Sequence, residues 1–123
     1  MNKFKDYLKK NRQNFKYFNK ELKNYLTFPK LDPQSNTNGY LYSFTIPKKL
    51  VKKFLLFMKI NKIETGQFYN RSLSENSVLK PIIETDLRTA KRFTKEIISI
   101  PSRADLKKKE KKKIIYNYNF LIL

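Results

Sequence analysis

The stretch Tyr40-Leu41-Tyr42-Ser43-Phe44-Thr45-Ile46 decides the fold that the rest of the sequence has to fit. Every second position from Tyr40 to Ile46 carries a large side chain, and the positions between them carry smaller ones. This two-residue period predicts a β-strand with one heavily buried face. Pro47 follows directly, and proline suits the first turn of a helix. The strand is therefore expected to lead into a helix that ends near Asn61.

Two more strands are predicted further along the chain. Residues 63–69 form the second, and Gly66 within it marks a bulge or a close approach of another backbone. Residues 96–100 form the third, a short apolar strand that Pro101 closes. The polar residues 70–81 between these two strands are expected to form a loop.

A long helix is predicted ahead of the first strand, over residues 2–26. This segment has no proline or glycine, and its apolar side chains recur at alternating steps of four and three residues. The positions expected to face inward are Phe4, Leu8, Phe15, Phe18, Leu22 and Tyr25, with Asn11 filling the one gap. A two-stranded coiled coil is the alternative for this helix, because three heptads are the minimum for one.

Two further helices complete the pattern. Thr85 or Asp86 is expected to cap a helix that runs to about Lys95, and Asp105 is expected to cap a last helix over residues 106–118. The inward positions of the last helix are Leu106, Ile114, Ile115 and Tyr118.

The predicted order is α-β-α-β-α-β-α, which indicates an α/β fold. We expect a small two-layer sandwich in which the helices pack on one three-stranded sheet, with Phe44 and Ile100 in its core. At 123 residues the chain is long enough for one domain with a real core, so a single domain over 1–123 is predicted. For residues 116–123 the sequence leaves a disordered tail open.

The composition excludes several classes of function. The chain has no cysteine and no histidine, which excludes disulfides, thiolate chemistry, Cys/His zinc sites and any general base that relies on imidazole. Its 10 carboxylates are scattered, so neither a catalytic residue nor a metal ligand is predicted. No run approaches the roughly 18 apolar residues of a membrane span, and the lysine-rich start lacks the apolar segment of a signal peptide. A cytoplasmic protein is therefore expected.

The charge is the most unusual property of the chain. Lysine and arginine number 28 against 10 acids, for a net charge of +18, which attracts polyanions. Lysine outnumbers arginine 23 to 5, and residues with A/T-rich codons dominate, so a solvated surface produced by codon usage is one explanation. If the charge has a function, the polyanion-binding residues are expected in the densest run: Lys107, Lys108, Lys109, Lys111, Lys112 and Lys113.

Four stretches, taken in order, resemble the motifs of one family. They are Asn11-Arg12-Gln13-Asn14-Phe15-Lys16-Tyr17-Phe18; Phe28-Pro29 followed by the strand at 40–46; Ile63-Glu64-Thr65-Gly66; and Lys95-Glu96-Ile97-Ile98-Ser99-Ile100-Pro101 followed by Asp105-Leu106. They resemble the C-terminal domain of the DegT/DnrJ/EryC1/StrS family, the pyridoxal-phosphate-dependent nucleotide-sugar aminotransferases and related dehydratases. The resemblance spans about residues 10–118, and Lys62 stands where the family usually has glycine.

The resemblance implies a chain that binds no cofactor alone. In the family, the Schiff-base lysine, the acid facing the pyridine nitrogen and the cofactor-phosphate site lie upstream, in a large domain. Pyridoxal phosphate is therefore expected only where this chain is paired with such a domain, and the implied partners are that domain or a homodimer mate. The implied function is the small domain, or a fragment, of an enzyme of surface-polysaccharide biosynthesis that is inactive alone.

The resemblance also implies a substrate-binding loop. The family's Tyr-Pro-x-Pro-Leu-His loop, near the substrate sugar, corresponds to residues 69–74, where Ser74 replaces the histidine and both prolines are absent. The dehydratase branch has Gly-Asn-Leu-Thr there, which fits at Leu73 and loosely at Ser74, so neither branch is assigned. The implied substrate-binding residues are Tyr69, Asn70, Arg71 and Ser74.

The alternative function is that of a basic nucleic-acid-binding or ribosome-associated protein. That hypothesis accounts for the charge. The aminotransferase hypothesis accounts for the spacing of the strands and for the Ser-Ile-Pro segment at 99–101, and we favour it on that ground.

Overall fold

The first predicted strand forms the centre of the fold and pairs with a strand far along the chain. The computed structural model describes residues 2–22, 36–79 and 87–122. Within these ranges the elements are α1 (Asn2–Leu22), β1 (Leu41–Thr45), α2 (Lys48–Ile60), a 3-10 turn (Leu73–Glu75), α3 (Arg88–Glu96), β2 (Ile97–Pro101) and α4 (Lys108–Ile122). The predicted α/β class is confirmed, with four helices and a two-stranded sheet in the described ranges.

The sheet is antiparallel and buries one face completely. Tyr42 lies opposite Ile100 and Phe44 lies opposite Ile98, and each of these four side chains is at most 1% exposed. The alternation read from the sequence therefore gives the correct buried face at Tyr42, Phe44 and Ile46 but not at Tyr40, which precedes the strand and is 66% exposed. On the opposite face, the hydroxyl oxygens of Ser43 and Ser99 lie 2.7 Å apart and share a hydrogen bond.

The predicted third strand over 63–69 is wrong, because this segment forms only one bridge to β2. The amide of Gly66 donates to the carbonyl oxygen of Ser99 at 3.0 Å, and the amide of Ser99 donates to the carbonyl oxygen of Gly66 at 2.8 Å. A Cβ atom on Gly66 would lie 2.8 Å from the ring of Phe68. The chain thus folds back over Gly66 instead of remaining extended. A close approach does occur at this glycine, but it is made by the side chain of Phe68 and not by the other backbone that the sequence suggests.

A left-handed turn ends α2 at the predicted place, at the position where the resemblance leads one to expect glycine. The amide of Lys62 donates to the carbonyl oxygen of Lys59 at 2.9 Å, and the amide of Ile63 donates to the carbonyl oxygen of Met58 at 2.9 Å. These two bonds define a Schellman motif, whose central residue adopts a positive φ. That residue is Lys62, with φ of 55°, so a side chain occupies a backbone conformation that favours glycine.

The first helix packs on the sheet along its second half only. Phe18 and Leu22 are fully buried, and the rings of Phe15 and Phe18 lie 5.1 and 5.5 Å from the ring of Tyr42, measured between centroids. The predicted inward position of Phe4 is wrong: its side chain is 71% exposed, because the sheet and α4 meet α1 only further along. Residues 23–26, the predicted end of this helix, lie outside the described residues.

The last two helices differ from the prediction at their ends. The predicted caps Thr85 and Asp86 lie outside the described residues. Asp105 does not cap α4, because its carboxylate pairs with Arg103 at 2.9 Å. The carboxylate of Glu110 instead accepts the amide of Lys107 at 2.7 Å. Helix α4 continues past the predicted end at 118, so the segment for which the sequence allows disorder is helical as far as Ile122.

Three helices and the sheet enclose one core rich in aromatic rings. Phe44, Phe54 and Tyr118 come from β1, α2 and α4, and their ring centroids lie 5.8–6.0 Å apart in edge-to-face contacts. Leu106, Ile114 and Ile115 are buried beside them, as predicted. Burial raises the pKa of the Tyr42 and Tyr118 hydroxyls well above the ordinary value, so both stay neutral.

We expect Phe44→Ala or Ile100→Ala to lower the free energy of unfolding by about 2–5 kcal/mol, because each substitution leaves a cavity in this core. Chemical denaturation monitored by circular dichroism measures the change. Leu56→Ala is the control, since Leu56 is 60% exposed, and it should shift stability by less than about 0.5 kcal/mol. Equal midpoints for all three variants would contradict the assigned strand register.

We expect Lys62→Gly to stabilise the protein by about 1 kcal/mol, because glycine removes the steric cost of the left-handed conformation. The same denaturation experiment measures the gain. Lys59→Gly is the matched control: Lys59 lies inside α2, where glycine destabilises a helix by about 1 kcal/mol. A loss of stability in both variants would contradict the left-handed turn.

Candidate functional site

The loop implied to bind substrate leaves the sheet immediately after the Gly66 bridge. Tyr69 is 72% exposed, and Asn70 and Arg71 are also exposed. Ser72 then turns inward and is only 6% exposed. The 3-10 turn Leu73–Glu75 follows it. Three consecutive side chains therefore project to solvent from a segment whose next residue is buried.

A capping box closes the 3-10 turn and fixes the loop. The amide of Ser72 donates to Glu75 Oε2 at 2.9 Å, and the hydroxyl of Ser72 reaches the same oxygen at 3.1 Å. The amide of Glu75 donates to the Ser72 carbonyl oxygen at 3.0 Å, which is the backbone bond of the 3-10 turn itself. The Ser-x-x-Glu spacing is the sequence signature of such a box, so the motif was readable in advance, although our sequence analysis missed it.

Lysine 95 at the end of α3 ties the loop to the body of the fold. Its ammonium donates to the Asn70 carbonyl oxygen at 3.0 Å and lies 3.3 Å from Glu75 Oε1. The side-chain amide of Gln67 adds a bond of 2.8 Å to the Thr94 carbonyl oxygen. The loop is consequently held at both of its ends by the last turn of α3.

The hydrogen bonds to Glu75 also set its protonation. The backbone bond from Ser72, with further contributions from the Ser72 hydroxyl and the Lys95 ammonium, holds the pKa of the Glu75 carboxyl below its usual value. The ionised carboxylate is thus the form that holds the loop at neutral pH.

The structure brings some of the implied substrate-binding residues together and separates others. Tyr69 borders an open hollow of about 690 Å³ together with Phe93 and Ile97. Asn70 instead borders a second hollow beside Lys48 and Lys95. The hydroxyl of Ser74 lies 2.9 Å from that of Ser72 and is part of the loop's own hydrogen bonding. Arg71 stays exposed at the tip. These four residues therefore do not converge on one pocket in the chain by itself.

The lysine run at 107–113 begins one residue before α4 and continues through its first turns, and one of its members differs from the rest. Lys111 is half-buried, its ammonium donates to Asn14 Oδ1 at 2.9 Å, and it lies 5.3 Å from the centre of the Tyr17 ring. Lys111 is therefore a packing contact between α4 and α1. The other five lysines of the run are exposed.

Asn14, one of the motif residues of α1, lies at the centre of a buried polar network. Its side-chain amide donates to the carbonyl oxygens of Ser102 at 3.2 Å and Arg103 at 2.7 Å. The hydroxyl of Ser102 in turn donates to the Gly39 carbonyl oxygen at 2.6 Å. With Lys111 on its oxygen, Asn14 links α1 to the chain after β2 and to α4, and through Ser102 it is connected to the chain before β1.

These elements and motifs match a known family in sequence. The family model of the DegT/DnrJ/EryC1/StrS aminotransferase family matches residues 1–118. The chain belongs to this family. The recognition made from the four sequence motifs is thus confirmed. Among curated proteins, no sequence matches this chain.

Solved structures of the family share the fold. The sugar aminotransferase CalS13 from Micromonospora echinospora superposes with a TM-score of 0.84 at 15% identity, over 94% of this chain and 31% of that chain. A DegT DnrJ EryC1 StrS aminotransferase from Brucella abortus superposes with a TM-score of 0.82 at 18% identity, over 94% of this chain and 31% of that chain. The aminotransferase TlmJ from Streptoalloteichus hindustanus gives 0.81 at 15% identity, over 95% and 32%.

The chain therefore spans about a third of the length of these structures. Within the three described ranges, no helix is long and apolar enough to cross a membrane. The same residues contain no cluster of three or more acidic side chains that could hold a metal ion.

We expect the loop to loosen in acid. Because the folded-state pKa of Glu75 is lowered, its carboxylate contributes stability above the usual glutamate pKa of about 4.3, and that contribution is lost as pH falls through the lowered value. Hydrogen exchange of the Ser72 amide, expressed as a protection factor from pH 7 downward, measures the effect. Glu75→Gln should remove the pH dependence.

Glu64→Gln is the matched control for that measurement. Glu64 is 79% exposed and pairs with Arg103 at 3.0 Å, away from the 3-10 turn. This variant should keep the acid-dependent loss of Ser72 protection. A Glu75→Gln protein with the same pH profile as the parent would contradict the role assigned to the capping box.

Proposed function

We propose that the chain is the small C-terminal domain of a pyridoxal-phosphate-dependent nucleotide-sugar aminotransferase or dehydratase. The single observation that carries the proposal is the family match over residues 1–118, and the fold shared with about a third of each sugar-aminotransferase structure supports it. In this proposal the enzyme works in the cytoplasm in surface-polysaccharide biosynthesis. The domain has no turnover by itself.

The lysines of the described residues do not fit the cofactor. A Schiff-base lysine needs a desolvated amine, and none of these lysines is buried. Among the least exposed, Lys95 is bound to Asn70 and Glu75, and Lys111 to Asn14. In this proposal pyridoxal phosphate belongs to a partner large domain, and the lysines of the described residues contribute no covalent step.

The chain's own contribution is a positioned loop. Tyr69, Asn70 and Arg71 project to solvent from a segment that Lys95 and the capping box hold in place. An exposed guanidinium suits a phosphate group, because it can donate two parallel hydrogen bonds. We propose that these side chains and Ser74 meet the nucleotide sugar when the large domain docks.

The face of the sheet opposite the core supports docking to a partner protein. Its six positions are Leu41, Ser43, Thr45, Ile97, Ser99 and Pro101. None of these residues is charged, although charged residues make up 31% of the whole chain. Beside it, Tyr40 and Phe68 are 66% and 64% exposed. Depletion of charge with aromatic enrichment is typical of the centre of a protein interface. The occupant in this proposal is the large domain or a homodimer mate that carries it.

The alternative function, a nucleic-acid-binding or ribosome-associated protein, explains the net charge alone. It gives no account of the family match, and we do not favour it as the role of the whole chain.

The purified chain mixed with pyridoxal phosphate should show no absorbance of an internal aldimine and no transamination. Borohydride reduction followed by peptide mass spectrometry makes the comparison quantitative. Random low-level labelling of exposed lysines is expected. Stoichiometric labelling of one lysine would contradict the proposal, because a built Schiff-base site would then lie in this chain.

The second test is genetic. The coding sequence immediately upstream should supply the family's large domain with its Schiff-base lysine, in the same or a separate reading frame. Co-expression of that product with this chain should then restore the aldimine spectrum on the upstream product. An upstream sequence unrelated to the family would contradict the proposed partner.

A further inference from the structure

One exposed face of α4 aligns cations with aromatic rings. Lys108, Lys112, Tyr116 and Phe120 follow each other at steps of four residues, so each is the neighbour of the next on the helix surface and the four form a line that winds slowly around α4. All four are exposed, and the two rings are each 70% exposed. The stripe runs for about 18 Å along the axis. We call these four residues the α4 stripe.

The lysines of this region are not neutralised within the described chain. Five of them are exposed and none forms an ion pair with a described carboxylate. The single acid of the run, Glu110, is engaged by the amide of Lys107. Like charges four residues apart on a helix repel each other and destabilise it. Two such pairs lie within α4, Lys108 with Lys112 and Lys109 with Lys113, and no ion pair with a described carboxylate offsets this repulsion.

The two rings of the stripe are not used by the core. The inward face of α4 is filled by Ile114, Ile115 and Tyr118. Phe120 stacks on Phe57 with centroids 5.7 Å apart and planes at 12°, which fixes its orientation while most of its surface stays in water. Tyr116 stands one turn before it. Both therefore present ring surface to solvent in line with the cations.

We propose that the α4 stripe binds single-stranded nucleic acid. The exposed lysines hold the phosphates, and a base stacks on Tyr116. Proteins that bind single strands without sequence preference combine a basic track with aromatic platforms for successive bases. This property is separate from the proposed enzyme role, because none of its residues belongs to the loop that we assign to substrate.

The geometry favours nucleic acid over a lipid surface. A helix that lies in a membrane interface buries a broad apolar face in the lipid. The apolar face of α4 is already turned into the core, which leaves a narrow line of two rings. A narrow line of rings suits a single strand, because each aromatic ring can stack on the flat face of one base.

The first test measures how the affinity for oligothymidylate of about 20 nucleotides depends on salt. The run variant changes the five exposed lysines of the run, which include both lysines of the stripe, to Gln: Lys107, Lys108, Lys109, Lys112 and Lys113. The matched control changes Lys48, Lys49, Lys52, Lys53 and Lys59, which are all exposed on α2, to Gln. Both proteins lose five charges and both leave Lys111 in its contact with Asn14, so circular dichroism should show both folded.

We expect the plot of log K against log salt to become shallower in the run variant by at least about 1.4, from the two lysines of the stripe, and by about 3.5 where all five lysines hold phosphates, at about 0.7 per phosphate contact on a single strand. The control should change by less than about 0.7, the value of one contact. Equal changes in the two variants would overturn the proposal, because the binding would then follow net charge and not this face.

The second test separates base stacking from charge. Tyr116→Ala should weaken binding of the oligothymidylate about fivefold or more, from the roughly 1 kcal/mol lower bound for stacking on a ring. It should leave unchanged the binding of an abasic oligonucleotide of the same length and charge. Tyr7→Ala, at a site 59% exposed on α1, is the control and should affect neither. An equal effect of Tyr116→Ala on both ligands, or no effect, would overturn the proposal.

The same variant measured on phosphatidylserine vesicles distinguishes a lipid surface. A loss of vesicle binding in Tyr116→Ala without a loss on oligothymidylate would assign the stripe to membranes and overturn the proposal. Neither test involves pyridoxal phosphate or the large domain, so failure here leaves the proposed enzyme role untouched.

Discussion

The buried carboxamide of Asn14 is the interaction on which the arrangement of the other elements depends. Its amide group holds two successive carbonyl oxygens after β2, and its oxygen holds the ammonium of Lys111 on α4. Asn14 is only 4% exposed, and a buried polar group that loses its partner costs about 1–3 kcal/mol. The network therefore favours one placement of α1 against α4. Hydrophobic contacts, which are non-directional, would tolerate a rotated or shifted helix.

The same network explains why Gly39 stands just before β1. Its carbonyl oxygen accepts the hydroxyl of Ser102, and its φ is +65°. A Cβ atom there would lie 2.6 Å from the backbone of Asn11. The entry into the sheet, the exit from it and the middle of α1 thus meet in one place with no room for a side chain. One of the chain's two glycines is used where a positive φ and a close approach coincide.

The sequence predicted the parts of the fold that a local period controls, and failed where distant contacts decide. The alternation at 40–46 and the apolar spacing of Ile114, Ile115 and Tyr118 follow directly from the strand and helix periods. The segment 63–69 has the residues of a strand, yet Phe68 folds over Gly66 and leaves one bridge. The end of α2 at Lys62 carries no glycine to mark its left-handed turn. At the candidate site, Lys95 comes from 25 residues away in sequence, and no local pattern predicts that contact.

Lysines are distributed unevenly between the helices and the sheet, and burial explains only part of that difference. Lysines occupy the solvent faces of α1, α2 and α4, whereas the sheet is free of them on both faces. Codon usage explains an excess of lysine, but it does not sort lysines by face. Their exclusion from the buried face follows from the cost of desolvating a charge. On the opposite face, whose residues are mostly half-buried, solvent would accept lysine as readily as it does on the helices. The absence of charge on that face is therefore a property that desolvation inside this chain does not explain, and it is the observation on which the proposed docking of a partner rests.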